Sequence, residues 1–210
     1  MYGSSNFALR LIYEKVVGEQ LKRLEEARDP SVVYVTDLVS CTHRFHMRKL
    51  YPELAVAFEP PMVLGDIVHW GLEALFKERG FDVEVEVSRA VYVNDKMYII
   101  KGRVDAIDKS TGTVVEIKTA RLAVELPKDH HVKQLNIYLE LTGYKRGVLV
   151  YITPDRVLEY SITKSQVDLE FEVRELLEDK YRPRYPWECT YCAYRKLCPF
   201  YIPEHGRRAQ

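Results

Sequence analysis

The sequence has no long apolar run. The longest is five residues, too short for a membrane span or for the apolar core of a signal peptide, so a cytoplasmic protein with no membrane association is expected. It also lacks an excess of either charge: lysine and arginine number 31, aspartate and glutamate 31, and net charge therefore points to no partner. Asparagine and glutamine are scarce, seven together against 62 charged residues, a balance that suits proteins working at high temperature. Neither an internal repeat nor a low-complexity linker divides the chain. With 47% apolar residues there is material for a substantial core. Residues 1–210 are read as one domain in three parts: a helical stretch 1–60, a core 61–165, and a closing segment 166–210.

What charge there is lies unevenly. From Lys180 to Gln210 there are seven basic and two acidic residues. A smaller basic group runs through His43, Arg44, His46, Arg48 and Lys49. Both fit either solvated helix ends or a phosphate-binding surface.

Periodicity gives the elements. Leu9, Tyr13, Val17, Leu21 and Leu24 recur at helical spacing, which predicts one amphipathic helix over residues 7–28, ended by Asp29-Pro30. Thr36-Asp37 offers an N-cap for a second helix through Cys41. A third runs from Pro60-Pro61 to Gly80, with Leu64, Val68, Leu72, Leu75 and Phe76 expected inward. The period then becomes two. Val83 to Val93 alternates as a strand, Asn94-Asp95 signals a turn, and residues 97–108 and 113–119 make two more strands. A helix from Pro127 to Gly143, strands near 147–152 and 157–162, and a helix from Ser165 to about Tyr181 complete an α/β sandwich around a mixed sheet.

If the loop Lys109–Gly112 pairs Asp108 with Thr113, then Asp105 stands opposite Glu116 and Arg103 opposite Lys118. Opposed Cβ atoms sit about 5 Å apart, where like charges destabilise. Two carboxylates so placed repel unless a cation lies between them, and oxygen ligands select a hard ion such as Mg²⁺ or Mn²⁺. The bland alternative is a surface salt-bridge cluster. Separately, Cys189, Cys192 and Cys198 form a tight trio, with Cys41 far upstream. In a cytosolic chain four such thiols suit zinc or an iron–sulfur cluster better than disulfides.

Asp105, ten intervening residues and Glu116-x-Lys118 resemble the core of the PD-(D/E)XK nucleases. Three more elements resemble its RecB-like branch: Gly65 to His69 as GxxxH, Gly102 to Asp105 as GxxD, and Gln134 to Tyr138 as QxxxY. The Pro-Asp dipeptide is missing, since Val104 precedes Asp105. One cysteine before this core and three after it resemble the iron–sulfur RecB-like nucleases, which include the CRISPR-associated exonucleases.

The resemblance implies a restriction-endonuclease-like α/β core and a metal-dependent exonuclease acting mainly on single-stranded DNA. It implies His69, Asp105, Glu116 and the Ile117 carbonyl as ligands of Mg²⁺ or Mn²⁺, Lys118 orienting the nucleophile, and Gln134 and Tyr138 touching the substrate phosphate or placing the attacking water. Cys41, Cys189, Cys192 and Cys198 would hold an iron–sulfur cluster, most simply 4Fe-4S, that ties the N-terminal helices to the tail. CRISPR integrase proteins are the implied partners, in the processing of spacer precursors. Arg195 and Lys196 with Tyr191 and Tyr194 are candidates for DNA contact, although the tyrosines fit packing around a cluster equally well. Glu73, four residues after His69, fits either an acid supporting that ligand or, in the preferred reading, a solvated helix charge. Competing readings are a non-catalytic DNA-binding subunit and a zinc-stabilised adaptor.

Overall fold

A computed structural model describes residues 6–203 of the chain. Its centre is β3 (Lys96–Asp108), which pairs antiparallel along its length with β2 (Asp82–Val93). The turn between them has two residues, Asn94 and Asp95, both at positive φ. That is the backbone a tight hairpin needs, and Asn and Asp tolerate it best after glycine. The other edge of β3 is shared. Its start pairs in parallel with the short β1 (Val32–Tyr34), and its end antiparallel with β4 (Thr113–Thr119). Beyond β4 lie β5 (Arg146–Ile152), parallel to it, and β6 (Val157–Thr163), antiparallel to β5.

Helices cover both faces of this six-stranded mixed sheet. On one face α3 (Val35–Leu38), α6 (Asp129–Thr142) and α7 (Leu169–Leu177) bury Leu38, Leu135, Leu139, Val173 and Leu176 against Val104, Val114 and Leu149. On the other, α5 (Pro60–Glu78) brings Phe76 to a smaller cluster of Ala106, Val115 and Val150. Strand β4 is covered on both sides, which is why its Val114 to Ile117 are all buried. Gly143 ends α6 in the left-handed conformation that glycine adopts without steric cost. Among the described residues no helix is long and apolar enough to cross a membrane.

Several expectations change. The first helix is two, α1 (Phe7–Lys22) and α2 (Leu24–Arg28), broken at Arg23. Its stripe is not core: Leu9, Tyr13 and Leu21 are exposed and only Val16 and Val17 of α1 are buried. The helix instead leans over a cleft, held by Gln20, whose side chain exchanges two hydrogen bonds with the backbone of Ala57. The helix expected through Cys41 is α3 followed by α4 (Thr42–Leu50), with Cys41 as the N-cap of α4. Asp37 is not a first-position cap but sits in the first turn of α3, accepting the Tyr34 amide. On α5, Leu64 and Leu75 face solvent, and the side turned to the sheet also carries His69 and Glu73. The closing helix is shorter, starting only after Asp168 caps the Phe171 amide.

Candidate active site

The long hairpin changes phase at one point. Ile100 and Val104 face α3 and α6, and so does Gly102, where an added Cβ would stand 2.5 Å from Tyr138 Cε1 and 2.8 Å from Val35 Cγ2. Ala106 faces α5 instead, while Ile107 returns to the α6 side. On β2 the same flip separates Val83 from Val85, and the residue between them, Glu84, has φ +50°. Asp105 sits at the flip on β3.

Here the β3–β4 ladder stops. Its last pair is Ala106 with Val115, so the register is as the loop dictates, but Asp105 and Glu116 do not continue it. The strands part, and Asp105 Oδ2 accepts the Ile117 amide at 2.7 Å in place of a ladder bond. Arg103 does not face Lys118. It pairs across the hairpin with Glu84 at 2.8 Å.

Into the opening come side chains from four elements. Helix α5 supplies His69, with Nδ1 3.3 Å from Asp105 Oδ1 and 4.0 Å from Glu73 Oε1. Among the described residues, the trio of metal-ligand types whose atoms fall within 4.8 Å of one another is His69, Glu73 and Asp105. Strand β4 supplies Glu116 and Lys118, joined Nζ to Oε1 at 2.7 Å. Helix α6 supplies Gln134, whose Nε2 donates to Glu116 Oε1 at 2.8 Å and whose Oε1 accepts from Lys118 at 3.0 Å. Tyr138, one turn on, meets Gln134 at 3.4 Å. Gly102 makes room for that ring, and Gly65 lets α5 approach Thr119 at the end of β4, where a Cβ would lie 3.3 Å from its hydroxyl.

Glu116 is 2% exposed and its Oε2 has no partner. Burial, then the nearby Asp105 charge, raise its pKa to about 7, against the opposing pull of Lys118. Burial raises Glu73 too, with Glu84 and Asp105 adding to it. For His69 burial is the largest single effect and lowers the pKa, but the Asp105 hydrogen bond and charge together outweigh it and the net shift is upward. Such a cluster, acid-rich and partly dry with one oxygen unpaired, suits a bound cation. Glu73 is thus buried beside His69 rather than a solvated charge. Its spacing four residues after His69 was the available signal.

His69, Glu73, Asp105, Glu116, Gln134 and Tyr138 line a cleft of about 850 Å³ between α1, α2 and the sheet. The four cysteines lie elsewhere, around one small cavity. Cys41 stands at the head of α4 as its N-cap, where its carbonyl accepts the Arg44 amide at 3.2 Å. Burial holds the Cys41 thiol at about 11 and raises Cys192 as well. Four sulfurs from two distant parts of the chain, gathered around one cavity, fit a metal group that displaces thiol protons.

The proposed contact residues separate. Tyr191 is exposed and so is Lys196, while Arg195, also exposed, donates to the Thr190 carbonyl. Tyr194 is 3% exposed and cannot offer a face to a base. The basic group on α4 is internal: Arg48 forms a two-pronged pair with buried Asp37, Lys49 caps the Asp29 and Val32 carbonyls, and His43 meets Asp179.

A family model for the PD-(D/E)XK nuclease superfamily matches residues 76–199. The CRISPR-associated exonuclease Cas4 of Saccharolobus solfataricus is 43% identical over 192 residues, covering 85% of this chain and 94% of that protein. This chain belongs to the Cas4 family of PD-(D/E)XK nucleases. Among solved structures, SSO0001 superposes with a TM-score of 0.87 at 38% identity, over 93% of this chain and 98% of that one. The alkaline exonuclease LHK-Exo of Laribacter hongkongensis shares the fold at a TM-score of 0.52 and 15% identity, over 83% of this chain and all of its own. The family match begins inside α5, so the Cas4-type chain carries His69 and Glu73 ahead of the matched core.

Proposed function

We propose that this Cas4-family nuclease is a Mg²⁺- or Mn²⁺-dependent DNA exonuclease acting mainly on single strands, serving the processing of spacer precursors beside CRISPR integrase proteins. The observation that carries the reading is the convergence of His69, Asp105 and Glu116 on one cleft, with Lys118 paired to Glu116 and Glu116 Oε2 buried and unpartnered. A surface salt-bridge cluster would have no reason to desolvate a carboxylate to 2% exposure and leave an oxygen without a partner.

Asp105, Glu116, His69 and the Ile117 carbonyl would hold the metal, which when bound would neutralise phosphate charge and make bound water more acidic. Lys118 has both its recorded hydrogen bonds to groups of the site, Glu116 and Gln134, so its ammonium is aimed and ready to orient a nucleophilic water. Gln134 bridges Glu116 and Lys118, and Tyr138, kept protonated by burial, has a hydroxyl available to a phosphate oxygen. Cys41, Cys189, Cys192 and Cys198 would hold an iron–sulfur cluster, most simply 4Fe-4S. It would reinforce a junction already tied by Glu188, which accepts the Cys41 amide at 2.8 Å, and by Thr42, which exchanges hydrogen bonds with Tyr181. Arg195, Lys196 and Tyr191 are the exposed tail residues offered to DNA.

The test is direct. Pure protein is incubated with single-stranded DNA labelled at either end, with Mn²⁺, Mg²⁺ or chelator. Progressive shortening that chelator abolishes is expected. Intact DNA under every metal, with binding retained, would instead favour a non-catalytic subunit. A brown, visibly absorbing preparation separates the cluster from a colourless zinc site.

A further inference from the structure

The mechanism leaves an aromatic group unused. Tyr185 and Trp187 flank Pro186 in the single 3-10 turn Pro186–Cys189, and their rings stack with centroids 5.8 Å apart and planes 13° from parallel. His130, in the first turn of α6, tilts against both at 5.3 Å and 5.5 Å. Trp187 is nonetheless 49% exposed. An indole burdened with that much open surface contributes little to a core, yet its position is fixed. Glu188 accepts the Tyr185 amide at 2.8 Å and locks the turn, and Pro186 fixes its first residue.

Its place is what gives it meaning. His130 lies four residues before Gln134 on α6, hence on the same face and about 6 Å away along the axis. Gln134 holds Lys118 and Glu116. The platform therefore begins one helical turn from the cleavage centre. Burial, then Lys118 and Lys128, lower the His130 pKa, so at neutral pH its ring is an uncharged aromatic surface with cations nearby. Exposed, rigid aromatic rings beside positive charge are what an unstacked base with its phosphate recognises, and paired bases within a duplex have no free face to offer.

We propose that Tyr185, Trp187 and His130 form a stacking subsite for an unpaired nucleobase next to the cleavage centre. The proposal rests on the nuclease reading above and gives it a reason to prefer single strands. It also links the cysteine junction to substrate, because the turn that carries Trp187 ends at Cys189.

The experiment compares wild type with W187A, W187F and H130A, in chelator, by fluorescence anisotropy. The probes are a short oligothymidine and an oligomer of the same length built only of abasic deoxyribose phosphate. W187A should weaken oligothymidine binding roughly 5- to 100-fold, the effect of losing one stacked base, and leave the abasic oligomer unchanged. W187F should stay within a few-fold of wild type. H130A, on the first turn of a well-buried helix, should show a smaller loss with the same dependence on bases, and it carries the test if W187A does not fold. Equal losses on both probes, or none on either, would make the rings tail packing only and overturn the subsite. Wild-type protein that binds neither probe would overturn the nuclease reading along with it.

Discussion

Asp105 Oδ2 accepts the backbone N–H of Ile117 at 2.7 Å, across the point where β3 and β4 cease to pair. The side chain does the work of a main-chain carbonyl. It closes the gap that the parted strands would leave and turns its other oxygen toward His69. One carboxylate thus has a structural half and a chemical half, and substitutions can separate them. Asp105→Asn keeps an acceptor oxygen for Ile117 and should retain the fold, with DNA cleavage abolished. Asp105→Ala leaves that amide unpaired in a buried strand and should cost about 1–3 kcal/mol in addition. Thermal melting beside end-labelled DNA assays reads both. If Asp105→Asn cleaves at the wild-type rate, Asp105 is no ligand.

The pH dependence of stability tests Glu116 as a metal ligand. Its folded pKa, raised to about 7, lies above the ordinary 4.5. The folded state therefore holds a proton that the unfolded chain has released, so metal-free stability is full below 4.5 and declines as pH rises toward 7. Glu116→Gln should flatten that decline and lose cleavage. Added Mn²⁺ should raise the melting temperature of wild type more at pH 8 than at pH 5, and much less in the variant. An equal slope in both proteins would remove Glu116 from the site.

Much of this was legible in the chain. The loop Lys109–Gly112 set the β3–β4 register, and the spacing of His69, Asp105, Glu116, Lys118, Gln134 and Tyr138 brought them together as expected. What escaped were consequences of three-dimensional crowding. Period-two alternation has no term for the flip at Glu84 and Asp105, so Arg103 was assigned to Lys118 when it pairs with Glu84. The apolar stripe expected inward on α5 is so only in part: Phe76 reaches the sheet, while Leu64 and Leu75 face solvent and the sheet-facing side also carries His69 and Glu73. Charge counting suggested a phosphate surface at Arg48 and Lys49, whose charges are spent on Asp37 and on backbone carbonyls. The Tyr185–Trp187 stack had no sequence signal beyond two aromatics around a proline.

Replacing Cys41, Cys189, Cys192 or Cys198 singly by alanine should bleach the protein and lower its melting temperature. Cys41 is the sharpest case. It alone comes from the N-terminal half, and its amide already binds Glu188, so a loss in Cys41→Ala beyond that of a buried thiol measures what the metal group adds. Visible absorbance and melting curves with wild-type values in all four variants would dispose of the cluster.

His131 predicts the acid side. The Tyr151 hydroxyl accepts the Lys128 amide at 3.0 Å and is hydrogen-bonded to His131 Nδ1, 2.8 Å away. Burial, with Lys118 next in effect, depresses the His131 pKa to about 2. The unfolded chain takes up this proton near 6.5 while the folded one refuses it, so the unfolded state binds more protons and stability falls as pH drops below 6.5. The loss should approach about 1.4 kcal/mol per pH unit at most, opposite in sign to the Glu116 effect. His131→Gln keeps an acceptor for Tyr151 without a titrating group, and should hold its stability better than wild type between pH 6.5 and 4.5. Denaturant melts at both pH values measure the difference. Parallel losses in the two proteins would mean that His131 can be protonated where it stands.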